Sequence, residues 1–297
     1  MIKIRAHPAV VTRRSSFMCD TGGLFDMDLG IEDRVAVVTG GSKGIGYAIA
    51  RELGEAGTSV VIANRTPEEG REAAAAIAEE TGADTLAVPT DLTEEGDAEA
   101  LVEETVDEFG SVDILVNNAG TIGSQKQFHD IPLEEWEDVY DLNLFGTVRV
   151  TRAALPHMRE QGWGRVINIA SEAGTQPDDY KPHYDSSKAA MINFTKNLSK
   201  AYSSDGVLVN AVSPATTLTP LVEDMFKERA EAEDKSFDQV RQEFIDDEKP
   251  GMVRGLERLG EPEETAHVAA FLASEKASWV TGSNYRVDGG SIFTMDS

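Results

Sequence analysis

The feature that most constrains this chain is a regular alternation of two kinds of segment from Val35 onward. Short apolar runs rich in Val and Ile, typical of parallel strands buried on both faces, alternate with longer segments of helical character. The strand-like runs are residues 35–39, 59–64, 85–89, 113–117, 165–170, 207–212 and 284–287, and the helical segments include 47–56, 67–81, 93–109, 146–161 and 184–203. This order predicts an α/β fold with one doubly wound parallel sheet of about seven strands and helices on both faces.

The chain is expected to form one domain with a short extension and a long excursion. Residues 27–297 suit a single α/β domain, whereas two domains would be small by ordinary size statistics. Residues 1–26 are basic in an acidic chain and lack the apolar stretch of a secretory signal, so we expect a disordered tail or a misassigned start codon before Met27. Residues 215–259 contain two charged helical patterns without a strand, which predicts a substrate lid, with a decorative surface insertion as the alternative.

The charge balance excludes several kinds of partner. The sequence has 53 Asp and Glu against 27 Lys and Arg, a formal net charge of -26. Such an acidic surface repels nucleic acid and anionic membranes, and no apolar run approaches the roughly 20 residues of a membrane span. A charge of this size is typical of halophilic proteins. The single cysteine, Cys19, rules out an internal disulfide and favours a reducing, cytoplasmic location.

A glycine-rich turn follows the first strand directly. Residues 39–46 read Thr-Gly-Gly-Ser-Lys-Gly-Ile-Gly and lead into a helix. The glycines at 40, 44 and 46 let the backbone turn tightly and approach a ligand, while the helix N-terminus presents free N–H groups to an anion. Between a strand and a helix this turn predicts a dinucleotide site, with a tight connection that binds nothing as the alternative.

With this turn the sequence resembles the short-chain dehydrogenase/reductase family, which carries TGxxxGxG at this place. Further family motifs follow in order: Asp91, Asn117-Asn118-Ala119-Gly120, Asn143, Ser171, Tyr184 with Lys188, and Ser213-Pro214. The resemblance covers about residues 34–290 and implies a Rossmann-type fold and an oxidoreductase with a nicotinamide cofactor and no metal. It implies cofactor contacts at Gly40, Ser42, Lys43, Gly44, Ile45, Gly46, Asn64, Arg65, Asp91, Leu92, Asn118, Ala119, Gly120, Tyr184, Lys188, Pro214, Thr217 and Thr219.

The end of the second strand bears on the choice between NADP and NAD. An acidic residue there would bind the ribose 2′-hydroxyl and repel a 2′-phosphate, but this chain has Asn64 and Arg65. The guanidinium group suits a phosphate, and Lys43 stands where related enzymes add a second cation. We therefore predict a preference for NADP(H) with weaker use of NAD(H); the alternative is that both cations are simply solvated.

Four residues form the predicted catalytic group. Tyr184 and Lys188 are four residues apart in a helix, so their side chains share one face, and we expect the ammonium and the oxidised nicotinamide to lower the tyrosine pKa. Ser171 closes the fifth strand, where its hydroxyl can hydrogen-bond a substrate oxygen. The resemblance adds ribose binding by Lys188 and a proton-relaying water held by Asn143. Taken singly, each has a structural explanation such as a helix cap, a helix bend or a chance spacing.

These residues predict hydride transfer between NADP(H) and a carbonyl or secondary alcohol of a small-molecule substrate, with Tyr184 as acid and base. The main alternative is a 3-oxoacyl thioester reductase. Carrier-protein reductases that this chain resembles dock their acidic partner on two basic residues, and the resemblance places one of them at Arg149 but the other at Asp205. A non-catalytic NADP-binding redox sensor is the alternative from another class. The family resemblance also implies a homotetramer.

Overall fold

The structure is a computed structural model that describes residues 28–248 and 255–293. The predictions for residues 1–26 and for Met27 lie outside this part of the chain. Residues 249–254 of the predicted lid also lie outside it. Within the described ranges, no helix combines the length and the apolar character needed to cross a bilayer.

Seven strands in the described part form one parallel sheet with the order β3-β2-β1-β4-β5-β6-β7. They are β1 (Val35–Thr39), β2 (Ser59–Asn64), β3 (Thr85–Pro89), β4 (Ile114–Asn117), β5 (Gly164–Ile169), β6 (Val207–Pro214) and β7 (Asn284–Val287). The predicted doubly wound Rossmann-type sheet is confirmed. The chain reverses its direction across the sheet between β1 and β4, which are neighbours, and ligands of such sheets bind beyond the carboxyl ends at this switch point.

Helices cover both faces of the sheet. They are α1 (Gly44–Glu55), α2 (Pro67–Thr81), α3 (Asp97–Phe109), α4 (Leu133–Tyr140), α5 (Thr147–Gln161), α6 (Pro182–Tyr202), α7 (Pro220–Glu233), α8 (Phe237–Glu243) and α9 (Pro262–Ala273). One core lies between the sheet and α1, α2 and α9, and a second between the sheet and α3, α5 and α6. Alternate residues of β1 serve the two cores, Val38 the first and Val37 the second. Burial on both faces explains the apolar character of the central strands β1, β2 and β4.

Helix α3 begins four residues later than the predicted segment. The carboxylate of Asp91 accepts hydrogen bonds from the main-chain N–H of Thr93 (3.0 Å) and from its hydroxyl (2.6 Å). The side chain of Asp97 in turn accepts from the N–H of Asp91 (2.8 Å), and Gly96 has a left-handed backbone with φ of 92°. These local bonds hold residues 91–96 as a turn, so the helix begins only at Asp97.

The excursion after β6 folds as α7, α8 and a π-helical turn, Phe244–Glu248. These elements share a small apolar core formed by Phe226, Ala230, Val240, Phe244 and Leu259. At the base of the excursion Thr217 and Gly260 form a parallel bridge. Around the bridge, the N–H of Leu218 donates to the carbonyl of Gly260 (2.8 Å), and the N–H of Gly260 donates to that of Thr216 (3.1 Å). The two ends of the excursion are therefore fastened together beside β6.

Candidate active site

The glycine turn between β1 and α1 has the geometry that a dinucleotide requires. Gly40 and Gly44 have positive φ values of 62° and 55°. A Cβ atom on Gly46 would overlap the carbonyl oxygen of Gly40 and the side-chain amide of Asn118, so the close packing of the turn requires glycine there. No side chain caps the N-terminus of α1. Its first N–H groups are therefore open to an anionic ligand, and the turn fits the pyrophosphate of a nicotinamide cofactor.

The loop after β4 holds this glycine turn in place through hydrogen bonds. The Nδ2 atom of Asn118 donates to the carbonyl oxygens of Thr39 and Gly40, both at 3.0 Å. The hydroxyl of Thr39 accepts from the N–H groups of Asn118 (3.0 Å) and Ala119 (3.1 Å). These bonds join the carboxyl ends of β1 and β4 at the switch point, which keeps the glycine turn and Gly120 in one rigid unit.

Polar side chains meet at the carboxyl end of β2. The hydroxyl of Ser42 donates to Oδ1 of Asn64 (3.0 Å), and Arg65 beside it is exposed. The ammonium of Lys43 donates to Oε1 of Glu69 in the first turn of α2 (2.8 Å). Glu69 could not be identified from the sequence, since only the fold brings α2 against the glycine turn.

Three of the four predicted catalytic side chains meet at one cavity of about 470 Å³, whose wall does not include Asn143. Ser171 follows β5, while Tyr184 and Lys188 lie on α6, and all three line the cavity wall. Other wall residues belong to the excursion, including Val222 and Met225 of α7. The cavity thus lies between the sheet edge that carries the serine and the predicted lid.

The other predicted cofactor residues divide into two groups. Those that also line the cavity are Ile45, Asn118, Gly120, Pro214, Thr217 and Thr219. Those that lie outside its wall, along the carboxyl ends of β1 to β4, are Gly40, Ser42, Lys43, Gly44, Gly46, Asn64, Arg65, Asp91, Leu92 and Ala119. Leu92 is buried in the core on the α3 side of the sheet, so only its backbone remains for a cofactor contact.

The electrostatics of the tyrosine and lysine differ from the prediction. Burial raises the pKa of the Tyr184 phenol above its usual value, although the hydrogen bond with Ser171 and the charge of Lys181 act to lower it. Burial also lowers the pKa of Lys188 from 10.5 to about 8. Its ammonium lies 5.7 Å from the centre of the Tyr184 ring and donates to the carbonyl of Ile169 (2.8 Å). Desolvation therefore dominates both groups, whereas the sequence predicted that the ammonium and the oxidised nicotinamide together would lower the tyrosine pKa.

Asn143 lies on a π-helical turn, Asp141–Gly146, that continues α4 into α5. Its Nδ2 atom donates to the carbonyl of Thr121 (2.9 Å) and to the hydroxyl of Ser187 (3.1 Å), and its Oδ1 atom accepts from the N–H of Thr121 (2.8 Å). Asn143 thus joins the loop after β4 to α6 next to Lys188. Both amide hydrogens are used in this way, so the side chain has no N–H left to hold the predicted water.

A second buried lysine lines the cavity and was missed by the sequence analysis. Lys181 lies 5.2 Å from the centre of the Tyr184 ring and forms ion pairs with Asp178 and with Asp185 (3.0 Å). Burial lowers the pKa of Lys181, but the two carboxylates more than offset this and raise it. The signal was present in the sequence, because Asp178 and Asp185 stand three residues before and four residues after the lysine.

No group of three or more His, Cys, Asp or Glu side chains in the described ranges could hold a metal ion. The site therefore consists of a glycine turn at the switch point of a parallel sheet and an adjoining cavity with a serine, a tyrosine and a lysine. These parts together are the hallmarks of a nucleotide-dependent oxidoreductase with a Rossmann-type fold.

Comparison with known proteins assigns the family. A family model for short chain dehydrogenases matches residues 34–230. The chain is 36% identical over 264 residues to the 3-oxoacyl-[acyl-carrier-protein] reductase FabG of Aquifex aeolicus (strain VF5), which covers 89% of this chain and 99% of that protein. The protein belongs to the short-chain dehydrogenase family, which confirms the resemblance seen in the sequence.

Solved structures of similar proteins agree with this assignment. L-sorbose reductase from Gluconobacter frateurii, in complex with NADPH and L-sorbose, superposes with a TM-score of 0.85 at 36% identity over 91% of this chain and 100% of its own. NAD+-bound xylitol dehydrogenase superposes with a TM-score of 0.79 at 29% identity over 88% of this chain and 99% of its own.

Proposed function

We propose that this protein is an NADP(H)-dependent oxidoreductase that interconverts a carbonyl group and a secondary alcohol of a small-molecule substrate. The observation that carries the proposal is the meeting of Ser171, Tyr184 and Lys188 at one cavity, which Ile45 of the glycine turn also lines. A substrate oxygen in this cavity lies within reach of two hydroxyl groups, and the cofactor turn is adjacent. The similarity to L-sorbose reductase with bound NADPH and to xylitol dehydrogenase with bound NAD+ supports a nicotinamide cofactor.

Three polar side chains of the cavity have separate roles in proton transfer. When bound, the nicotinamide supplies the hydride for reduction and accepts it in the reverse direction. Ser171 hydrogen-bonds the substrate oxygen and stabilises the negative charge that develops on it. Tyr184 donates its phenolic proton to the same oxygen, and its raised pKa keeps that proton in place at neutral pH. Lys188 supplies positive charge beside the phenolate that remains.

Other residues hold this group in position. Asn143 ties the loop after β4 to Ser187, one residue before the lysine. We assign to Lys188 a second role, a hydrogen bond to the nicotinamide ribose, because its ammonium lies near Gly120 of that loop. The residues of the excursion on the opposite wall would then select the substrate, as expected of a lid.

Replacement of Tyr184 by Phe tests this proposal. Wild-type protein is first given a panel of sugars, polyols, β-ketoesters and acetoacetyl thioesters with NADPH or NADP+ in high salt. With any accepted substrate, Tyr184→Phe should lower kcat by about 100- to 10,000-fold, because proton transfer is lost while the ring remains. Tyr202→Phe at the far end of α6 is the matched control and should keep wild-type turnover. Wild-type turnover by Tyr184→Phe would refute the mechanism, and a wild-type protein without turnover on any substrate would favour the redox-sensor alternative.

A 3-oxoacyl thioester reductase is the second candidate, because the chain is 36% identical to FabG. The charges argue against a carrier-protein substrate. Arg149 forms an ion pair with Asp141 (2.7 Å) and donates to the carbonyl of Leu92 (2.8 Å), so it is tied to its own chain. Asp205, where a basic residue was expected, pairs with Arg159 (2.6 Å). A higher kcat/KM for acetoacetyl coenzyme A than for every ketone of the panel would favour this candidate.

We also propose that the protein is a homotetramer, in line with the family resemblance. The resemblance implies that subunits pair through the helices here named α5 and α6 and through β7. Large apolar side chains are exposed next to these elements, including Phe145 just before α5 and Trp279 near β7, which is 98% exposed. Light scattering should give about four times the chain mass of 32.1 kDa. A monomeric mass would refute this assembly.

A further inference from the structure

The carboxyl end of β2 carries an anion as well as the cations expected there. Ser42 is hydrogen-bonded to Asn64, and the ammonium of Lys43 is bound by Glu69 at 2.8 Å. Asn64 lies in the same group, since its Nδ2 atom donates to the carbonyl of Thr66 immediately before α2 (3.0 Å). Lys43 and Asn64 stand where the sequence predicts the 2′-phosphate of the cofactor, and Ser42 is a predicted cofactor contact. The fourth, Glu69, has no assigned role.

The two cations at this site are not equivalent. Arg65 is exposed and forms no hydrogen bond or ion pair in the described ranges, and its charge adds to local hydrogen bonds in lowering the pKa of the Asp91 carboxylate. Lys43 is instead neutralised by Glu69. The hydrogen bond from Lys43, with a smaller contribution from Asn64, holds the pKa of Glu69 below its usual value, so this carboxylate is ionised at neutral pH. A 2′-phosphate would therefore find one open cation and one that is already paired.

We propose that Glu69 limits the preference of this protein for NADP(H) over NAD(H), by holding the Lys43 ammonium that a 2′-phosphate would otherwise bind. A 2′-phosphate must displace the carboxylate from Lys43 or share the cation with it, and like charges then come close. A 2′-hydroxyl is neutral and does not compete for the cation. This inference rests on the nicotinamide cofactor of the proposed function and adds a residue that sets its selectivity.

The expected effect is moderate because the pair is exposed. The Lys43 and Glu69 side chains are 60% and 39% exposed, and ion pairs in such surroundings are weak. We expect removal of the Glu69 charge to tighten NADPH binding about tenfold, equivalent to about 1.4 kcal/mol. The affinity for NADH should change less than about twofold, which makes the ratio of the two dissociation constants the quantity to measure.

The chain offers a matched control in the neighbouring residue. Glu68 stands in the same first turn of α2, but its carboxylate pairs with Arg71 at 2.5 Å and not with Lys43. Glu68→Gln and Glu69→Gln therefore remove the same charge from the same helix end. Only Glu69→Gln frees the Lys43 ammonium.

The test is a direct titration of full-length protein with NADPH and with NADH by isothermal calorimetry, at one fixed KCl concentration. Wild type, Glu68→Gln, Glu69→Gln, Lys43→Met and the double variant Lys43→Met/Glu69→Gln are compared. The expected result is a tenfold gain in NADPH affinity for Glu69→Gln alone. In the Lys43→Met background the same substitution should change NADPH affinity less than about threefold, because the cation that Glu69 holds is no longer present.

Three results would overturn the inference. Equal effects of Glu68→Gln and Glu69→Gln would mean that only the overall charge matters. Equal changes for NADPH and NADH would show that Glu69 does not act on the 2′-phosphate, and a full tenfold effect in the Lys43→Met background would show that it does not act through Lys43. If wild type binds neither cofactor, the proposed function fails as well, whereas the other outcomes leave it intact.

Discussion

The ammonium of Lys188 donates a 2.8 Å hydrogen bond to the main-chain carbonyl of Ile169, the last residue of β5. This bond fixes the lysine between α6 and the sheet, where its side chain is buried. The acceptor of this hydrogen bond is a neutral carbonyl group and not a carboxylate, so burial is not compensated and the pKa of Lys188 falls to about 8. The lysine can therefore gain or lose its charge at pH values near 8.

This pKa predicts a pH-dependent stability. The lysine has a pKa of about 8 in the folded protein against 10.5 as a model value, so the unfolded chain binds more protons between these two pH values. The free energy of unfolding should thus rise by about 3 kcal/mol from pH 8 to pH 10.5, while below pH 8 the full penalty of the buried ammonium remains. Urea unfolding of the cofactor-free protein at several pH values measures the free energy of unfolding. Lys188→Met is the control and should lack this rise. Equal pH slopes in both proteins would contradict the assignment.

Gly46→Ala should disrupt cofactor binding. The added Cβ atom would overlap the carbonyl of Gly40 and the amide of Asn118, so the glycine turn has to move. We expect NADPH affinity to fall at least tenfold and the free energy of unfolding to drop by about 1–3 kcal/mol. Gly70→Ala is the control, since the nearest atom to its Cβ, in Asn64, is 3.6 Å away. An unchanged NADPH dissociation constant for Gly46→Ala would argue against this turn as the cofactor site.

Arg65→Glu should remove the preference for NADP(H). A charge-assisted hydrogen bond to the 2′-phosphate contributes about 1.5–3 kcal/mol, so the ratio of kcat/KM for NADP+ to that for NAD+ should fall about 10- to 100-fold. Arg71→Glu, on the exposed face of α2, makes the same change of charge and should leave the ratio within about twofold of wild type. An unchanged ratio in Arg65→Glu would show that the guanidinium group contacts only solvent and does not bind the 2′-phosphate.

Salt should stabilise the protein. With 53 acidic and 27 basic residues, the folded chain concentrates repulsive charge that the unfolded chain spreads out. The Debye length shrinks from about 10 Å at 0.1 M to about 3 Å at 1 M, so we expect Tm to rise by at least about 10 °C between 0.1 M and 2 M KCl. Differential scanning calorimetry gives the value directly. A flat Tm over this range would rule out adaptation to high salt.

Much of the fold could be predicted because its central strands are buried on both faces. Continuous apolar runs mark such strands without any knowledge of their neighbours, and β1 and β2 have the predicted bounds, as do the half-buried edge strands β3 and β7. The glycine turn and the Tyr184–Lys188 spacing were readable for a similar reason. Both depend on geometry within one segment, which the order of residues determines locally.

The parts that could not be predicted depend on contacts between distant segments. The π-helical turn at Asn143 is held by Thr121 and Ser187, and neither contact leaves a periodic pattern in the sequence. The pairing of Lys43 with Glu69 needs α2 to lie against the glycine turn. The raised pKa of Tyr184 follows from burial, which only the packed structure reveals.

The bridge between Thr217 and Gly260 marks the boundary between the excursion and the rest of the protein. Because the two ends of the excursion meet at this bridge and its helices have an apolar core of their own, substitutions on the outer faces of those helices are expected to leave the sheet intact. Ser171, which follows β5, and Tyr184 and Lys188 of α6 do not belong to the excursion. If the proposed lid selects the substrate, the excursion is the segment to exchange for a new specificity while the proposed proton-transfer residues are kept.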